Sequence, residues 1–152
     1  MSFPEHTAVI LFAHGSPVAE ANEGVAAAAR SAGAELGAGH VVAAFLDSAP
    51  PSLAEAVAQA VAAGARRVVV MPFFLTMGLH LRRDLPRLVD EVRARHPQVE
   101  ILVSEPLEGH AALVAAVTGR VREALAAPLA VRAQAAASGS HAAARSGARS
   151  RE

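Results

Sequence analysis

The chain has 152 residues, of which 53% are hydrophobic and 18% charged, with no net formal charge and no cysteine. This suits one folded domain and excludes a disordered chain, and no apolar run reaches the ~18 residues of a membrane span. Without cysteine there is no disulfide, thiolate metal site or thiol nucleophile, so any metal must be held by histidine and carboxylates. Residues 1–126 hold 10 arginines against 13 acidic residues, whereas 127–152 hold 4 arginines and one glutamate. A mildly acidic folded part with neither Trp nor Tyr argues against nucleic acid as the partner. Met1–Glu5 sets no basic stretch ahead of an apolar one, so no secretory leader is read and the cytoplasm is the expected location.

The first predicted strand, Ala8-Val9-Ile10-Leu11-Phe12, is apolar throughout, as in a parallel strand buried on both faces. It runs into Ala13-His14-Gly15-Ser16-Pro17. There Gly15 permits a sharp turn, Ser16 suits an N-cap and Pro17 a first helical position. Residues 17–36 should be helical, with Val18, Ala21, Val25 and Ala28 in one stripe that ends near Gly37. A second strand, Val41–Leu46, stops at Asp47. After a turn over 48–51, Ser52 and Glu55 form a capping box for a helix that carries Leu53, Val57, Ala60 and Val61 inward to Gly64.

The third strand, Arg67–Phe73, again reads as central in a sheet and leads into Phe74-Leu75-Thr76-Met77-Gly78-Leu79-His80. Asp84 is then expected to cap a helix that buries Leu85, Leu88, Val89 and Val92 and ends at Pro97. A fourth strand over Glu100–Ser104 precedes a last helix, from about Gly109 to Ala126, with Leu113, Val117, Val121 and Leu125 inward. Residues 127–152 show no periodicity and read as a disordered tail behind a domain of residues 1–126.

Four β-α units with short links predict an α/β fold of three layers, α/β/α, around a four-stranded parallel sheet. Flavodoxin-type winding gives the order 2-1-3-4, which makes strands one and three neighbours. Ligands of such sheets bind at the carboxyl ends of the strands, where the winding changes direction. His14 ends strand one, His80 follows strand three and Asp47 ends strand two. Two imidazoles and a carboxylate suit a divalent transition ion, and an imidazole also moves protons near neutral pH. Arg82 and Arg83 beside His80 can hold carboxylates in the forked manner of guanidinium groups. The apolar stretch over 73–79 reads equally as core, dimer interface or floor for a ligand. His110 begins the last helix and can hydrogen-bond there, while His6, His40, His96 and His141 receive no role.

Five motifs come in order: Leu11-Phe-Ala-His-Gly-Ser16, Phe45-Leu-Asp47 before Pro50 and Pro51, Val70-Met-Pro-Phe-Phe-Leu75, Gly78-Leu-His80 with Asp84-Leu-Pro86, and Pro106-Leu-Glu-Gly-His110. Together they resemble the sirohydrochlorin chelatases of the short CbiX type, related to SirB, over residues 7 to 125. The resemblance implies a class II chelatase that inserts Co2+, Fe2+ or Ni2+ into sirohydrochlorin, with the metal as substrate and no organic cofactor. Iron would lead to sirohaem, cobalt to cobalamin and nickel to a nickel tetrapyrrole. It further implies that His14 and His80 bind the metal and assist deprotonation of the ring, and that chains of this length pair as homodimers. An acidic residue, usually Glu, stands in the family where Asp47 stands here, and Asp is one methylene shorter. Ser16, Phe74, Leu75, Met77, Arg82 and Arg83 are the expected contacts to the ring and its carboxylates. Two rivals are a phosphohistidine carrier of the mannose-type phosphotransferase IIA kind, which leaves His80 without work, and a cobalt- or nickel-binding protein without turnover.

Overall fold

In the computed structural model, which describes residues 2–127 apart from the side chain of His80, strands and helices alternate. They are β1 (Thr7–Ala13), α1 (Ala19–Leu36), β2 (Val41–Phe45), α2 (Leu53–Ala62), β3 (Arg67–Pro72), α3 (Leu79–Arg95), β4 (Glu100–Val103) and α4 (Ala111–Ala126). The strands form one all-parallel sheet in the order β2-β1-β3-β4, so β1 and β3 are neighbours and β2 and β4 lie at the edges. The predicted tail, residues 128–152, lies outside the described residues.

The contacts of the chain fall into two units, Met1–Gly109 and the segment from His110 on. In the first, all seven residues of β1 are buried. Alternation of side chains along a strand sends them to two faces. Ala8, Ile10 and Phe12 meet Val68 and Val70 under Leu53 and Val57 of α2 and Leu85 and Val89 of α3. Val9 and Leu11 meet Val25, Ala28 and Ala29 of α1 on the other face. Each large side chain so enclosed contributes roughly 1.5–3 kcal/mol. The three layers follow from this division.

β3 is central, as expected; its alternate residues Val68, Val70 and Pro72 are fully buried, while α1 lies over β1 and β2 and covers the rest of β3 only in part. Three expectations need correction. α1 begins at Ala19 rather than at Pro17, with Val18 at the N-cap and no side-chain cap. Ser16 is held instead by Asn22: the Ser16 N–H donates to Asn22 Oδ1 at 2.9 Å, and Asn22 Nδ2 donates to the Ser16 carbonyl at 2.7 Å. α3 begins five residues before Asp84, at Leu79, and carries Pro86 within it. Burial of Leu81 extends the stripe of Leu85, Val89 and Val92 one turn toward the amino end, which outweighs the hydrogen bond that Pro86 cannot make. In the second unit α4 buries none of its residues, and Val114, Val117, Val121 and Leu125 are exposed.

The capping box at α2 is as expected. The Glu55 N–H donates to Ser52 Oγ at 3.3 Å, and the Ser52 N–H donates to Glu55 Oε2 at 2.7 Å. The Ser52 N–H foremost, and the Ser52 hydroxyl after it, hold the Glu55 carboxyl below its ordinary pKa by hydrogen bonding to it. The folded pKa is depressed, so this stabilisation is present above the unfolded value and disappears as the pH falls through the folded one. Ser52→Ala should lower stability by about 1 kcal/mol at neutral pH. Glu55→Gln should flatten the acid limb of the stability profile; urea titrations across mildly acidic pH test both.

Candidate active site at the carboxyl ends of the strands

His14 follows β1 directly, and its backbone is fastened from both sides. Its carbonyl accepts the Asp47 N–H at 3.0 Å, just after the Leu46 N–H donates to the Ala13 carbonyl at 2.8 Å. On the other flank the Phe73 N–H donates to the Phe12 carbonyl at 2.7 Å. Gly15 then turns the chain with φ +87°, so close to Asp47 that a Cβ would lie 2.0 Å from the Asp47 carbonyl oxygen. Only glycine fits that approach.

The imidazole itself is exposed. It stands edge to face on Phe74, with ring centroids 4.9 Å apart at 88°, and Phe74 stands in the same manner on Phe12 at 6.0 Å and 76°. Phe74 is buried in the core, so it acts as a post beneath His14 rather than as an open surface. Leu75 and Leu79 are exposed apolar residues of this end, 68% and 86% accessible, and Met77 is half-buried between them.

His80 is the second residue of α3, which follows β3, so it begins from the same end of the sheet as His14. Asp47 is exposed just past β2; its Oδ1 accepts the Ser48 hydroxyl at 2.7 Å. Among the described residues, no three His, Asp or Glu side chains stand close enough together to hold a metal ion. Ser16 is half-buried, and its Oγ accepts the Val18 N–H at 3.1 Å. Arg82 is paired with Glu108, whereas Arg83 is exposed and forms no ion pair among the described residues. α1 and α3 both start at this end without a side-chain cap, which leaves N–H groups and the positive ends of two helices facing outward.

The CbiX family model matches residues 8–124. The chain belongs to the CbiX family. A CbiX protein of Marinobacter aquaeolei, described as a putative cobalamin biosynthesis protein, superposes with a TM-score of 0.70 at 32% identity, over 78% of this chain and 97% of its own. SirB from Bacillus subtilis with Fe3+ superposes with a TM-score of 0.71 at 26% identity, over 80% of this chain but 48% of SirB. The sirohydrochlorin cobaltochelatase of Saccharolobus solfataricus is 39% identical over 69 residues, covering 41% of this chain and 54% of that protein. The sirohydrochlorin ferrochelatase of Priestia megaterium is 28% identical over 76% of this chain and 44% of its own length. This CbiX chain thus spans about half the length of the curated relatives it matches.

Two residues that shape this end of the CbiX chain were given no role of their own from the sequence. Asn22 holds Ser16 by both backbone groups, and an Asn among alanines in a helix, where its propensity is poor, was the available signal. Glu108 reaches the loop before α3, and no local pattern pairs it with Met77 and Arg82.

Proposed function

We propose that this chain is a chelatase that inserts a divalent metal into sirohydrochlorin, with Co2+, Fe2+ and Ni2+ as the candidate substrates. The observation that carries this reading is the exposed His14 imidazole, fixed on an aromatic post at the same end of the sheet from which the His80 helix starts. Names borne by the relatives, cobaltochelatase and ferrochelatase, support the activity. Neither a phosphohistidine carrier nor a metal-binding protein without turnover gains support from them.

Insertion requires the ion to shed water and the ring to lose two N–H protons. In this reading His14 and His80 hold the ion by neutral nitrogens, weakly enough for the ring nitrogens to take it, and accept protons as it moves. Asp47 adds a carboxylate beside them. Leu75 and Met77 offer apolar contact to the ring, while Arg83, Ser16 and the uncapped helix starts face its carboxylates. Among the described residues no helix is long and apolar enough to cross a membrane, which fits action in the cytoplasm.

A second copy of the chain is proposed to complete the molecule. The greater length of the Priestia megaterium ferrochelatase, 44% of which this chain covers, and the exposed Val114, Val117 and Val121 of α4 support a homodimer. The deciding experiment is to mix protein, sirohydrochlorin and each metal in parallel and follow absorbance. Formation of a metallated spectrum well above the uncatalysed rate supports the reading; metal binding with an unchanged tetrapyrrole spectrum removes it. Residues 1–126 are proposed as the functional domain, a boundary supported by the family match over 8–124. A chain ending at Ala126 should therefore keep its insertion rate within about twofold, a surface-scale change, in the same assay.

A further inference from the structure

The stretch between Phe74 and Leu81, both buried, includes no fully buried residue among those whose side chains are described. α3 starts within it at a glycine N-cap with no side-chain hydrogen bond. Besides the half-buried Met77 side chain, which packs against the core, a closed ring of three hydrogen bonds holds this stretch. The Met77 N–H donates to Glu108 Oε2 at 3.3 Å, Arg82 Nε donates to the Met77 carbonyl at 2.9 Å, and Arg82 Nη2 donates to the same Glu108 oxygen at 2.8 Å. Both backbone groups of Met77 are thereby taken, by a carboxylate from beyond β4 and a guanidinium from the first turns of α3.

We propose that Arg82 and Glu108 form a positioning clamp that sets where α3 begins, and with it the placement of His80, three residues after Met77. This rests on the chelatase reading. It assigns Arg82 to the protein's own loop and leaves Arg83 as the arginine for substrate carboxylates. The side chains of Arg82 and Glu108 are 60% and 37% exposed, and exposed pairs add little to global stability. Losing the clamp should therefore appear in the chemistry and not in the melting temperature, because small misplacement of a reacting group is costly in rate.

The test compares the full chain with Glu108→Ala, Glu108→Gln, Arg82→Ala and the Arg82→Ala/Glu108→Ala pair. Amide hydrogen exchange is read by mass spectrometry, and kcat and KM for sirohydrochlorin are measured with Co2+. Exchange over 75–79 should rise about tenfold in the alanine variants, a local opening, with β1 unchanged. kcat should fall on the order of 10- to 100-fold. The double variant should be no worse than the worse single one, as coupled residues behave. Glu108→Gln, which keeps an oxygen for the Met77 N–H, should recover part of the loss. Unchanged exchange overturns the clamp. A lowered KM in Glu108→Ala also overturns it, since that is what freeing a substrate-binding arginine would do. A wild type that inserts no Co2+ overturns the chelatase reading instead, and the exchange data still decide whether the clamp exists.

Discussion

Replacing His14 with alanine should reduce metal insertion by on the order of 10³-fold while the melting temperature moves by only a few degrees. The imidazole is exposed, takes part in no side-chain hydrogen bond among the described residues, and meets the fold through the edge of Phe74. Such an aromatic contact is worth roughly 0.5–1.5 kcal/mol, a minor share of a domain's stability. What is lost is a nitrogen that in the proposed reaction both holds the ion and takes a proton. Insertion followed by absorbance, beside thermal unfolding by circular dichroism, separates the two effects. A variant that still inserts metal at the parent rate ends the assignment of His14. His80→Ala should lose insertion as well, whereas a protein that accepts phosphate on His14 would not need it.

Among the described glycines, Gly15→Ala should be the most damaging substitution. The added carbon meets the Asp47 carbonyl oxygen at 2.0 Å and Phe45 Cβ at 3.1 Å, and the φ of +87° is one that L residues rarely adopt. The near neighbour is backbone, so nothing flexible can turn aside. Relief requires breaking the bond between the His14 carbonyl and the Asp47 N–H, which moves two proposed site residues apart. Strain and overpacking together should cost about 3 kcal/mol, and insertion should fall on the order of 100-fold in the folded fraction. Gly37→Ala is the control. Its φ is +65° at the end of α1, but no atom lies within 4 Å of the added carbon. It should lose about 1 kcal/mol and keep full activity. Urea unfolding and the insertion assay, run on both variants, distinguish close approach from conformation alone; equal losses would refute the steric account.

Much of the fold was legible because its signals are local and repeated. The apolar runs of β1 and β3, the short links and the Ser52–Glu55 box specify strands, winding and one helix start without reference to distant residues. The starts of α1 and α3 were not legible. Ser16-Pro17 has the form of a cap, yet Asn22 takes the Ser16 backbone from six residues away. Asp84-Leu-Pro86 has the form of a helix opening, yet burial of Leu81 carries α3 through the proline. For the site, a histidine at a strand end before glycine marks His14 by itself. Phe74 was expected as a ring contact; its place under His14 depends on three-dimensional packing with Phe12, which spacing does not encode. Glu108 belongs to the same class, a side chain whose partners are remote in sequence.

The outer margin of β2 bears on how the molecule avoids its own kind. An open sheet ends in unpaired amides, and such a margin invites strand addition and fibrillar stacking. At the carboxyl end of β2 the Phe45 N–H donates to the Pro51 carbonyl at 2.8 Å, and Phe45 bridges to Ser52 in parallel fashion. Pro50 and Pro51 have no N–H to offer a newcomer. The ladder is therefore terminated within the chain at the very end where its loops must stay open to solvent, and a sticky border is kept away from the working mouth of the sheet.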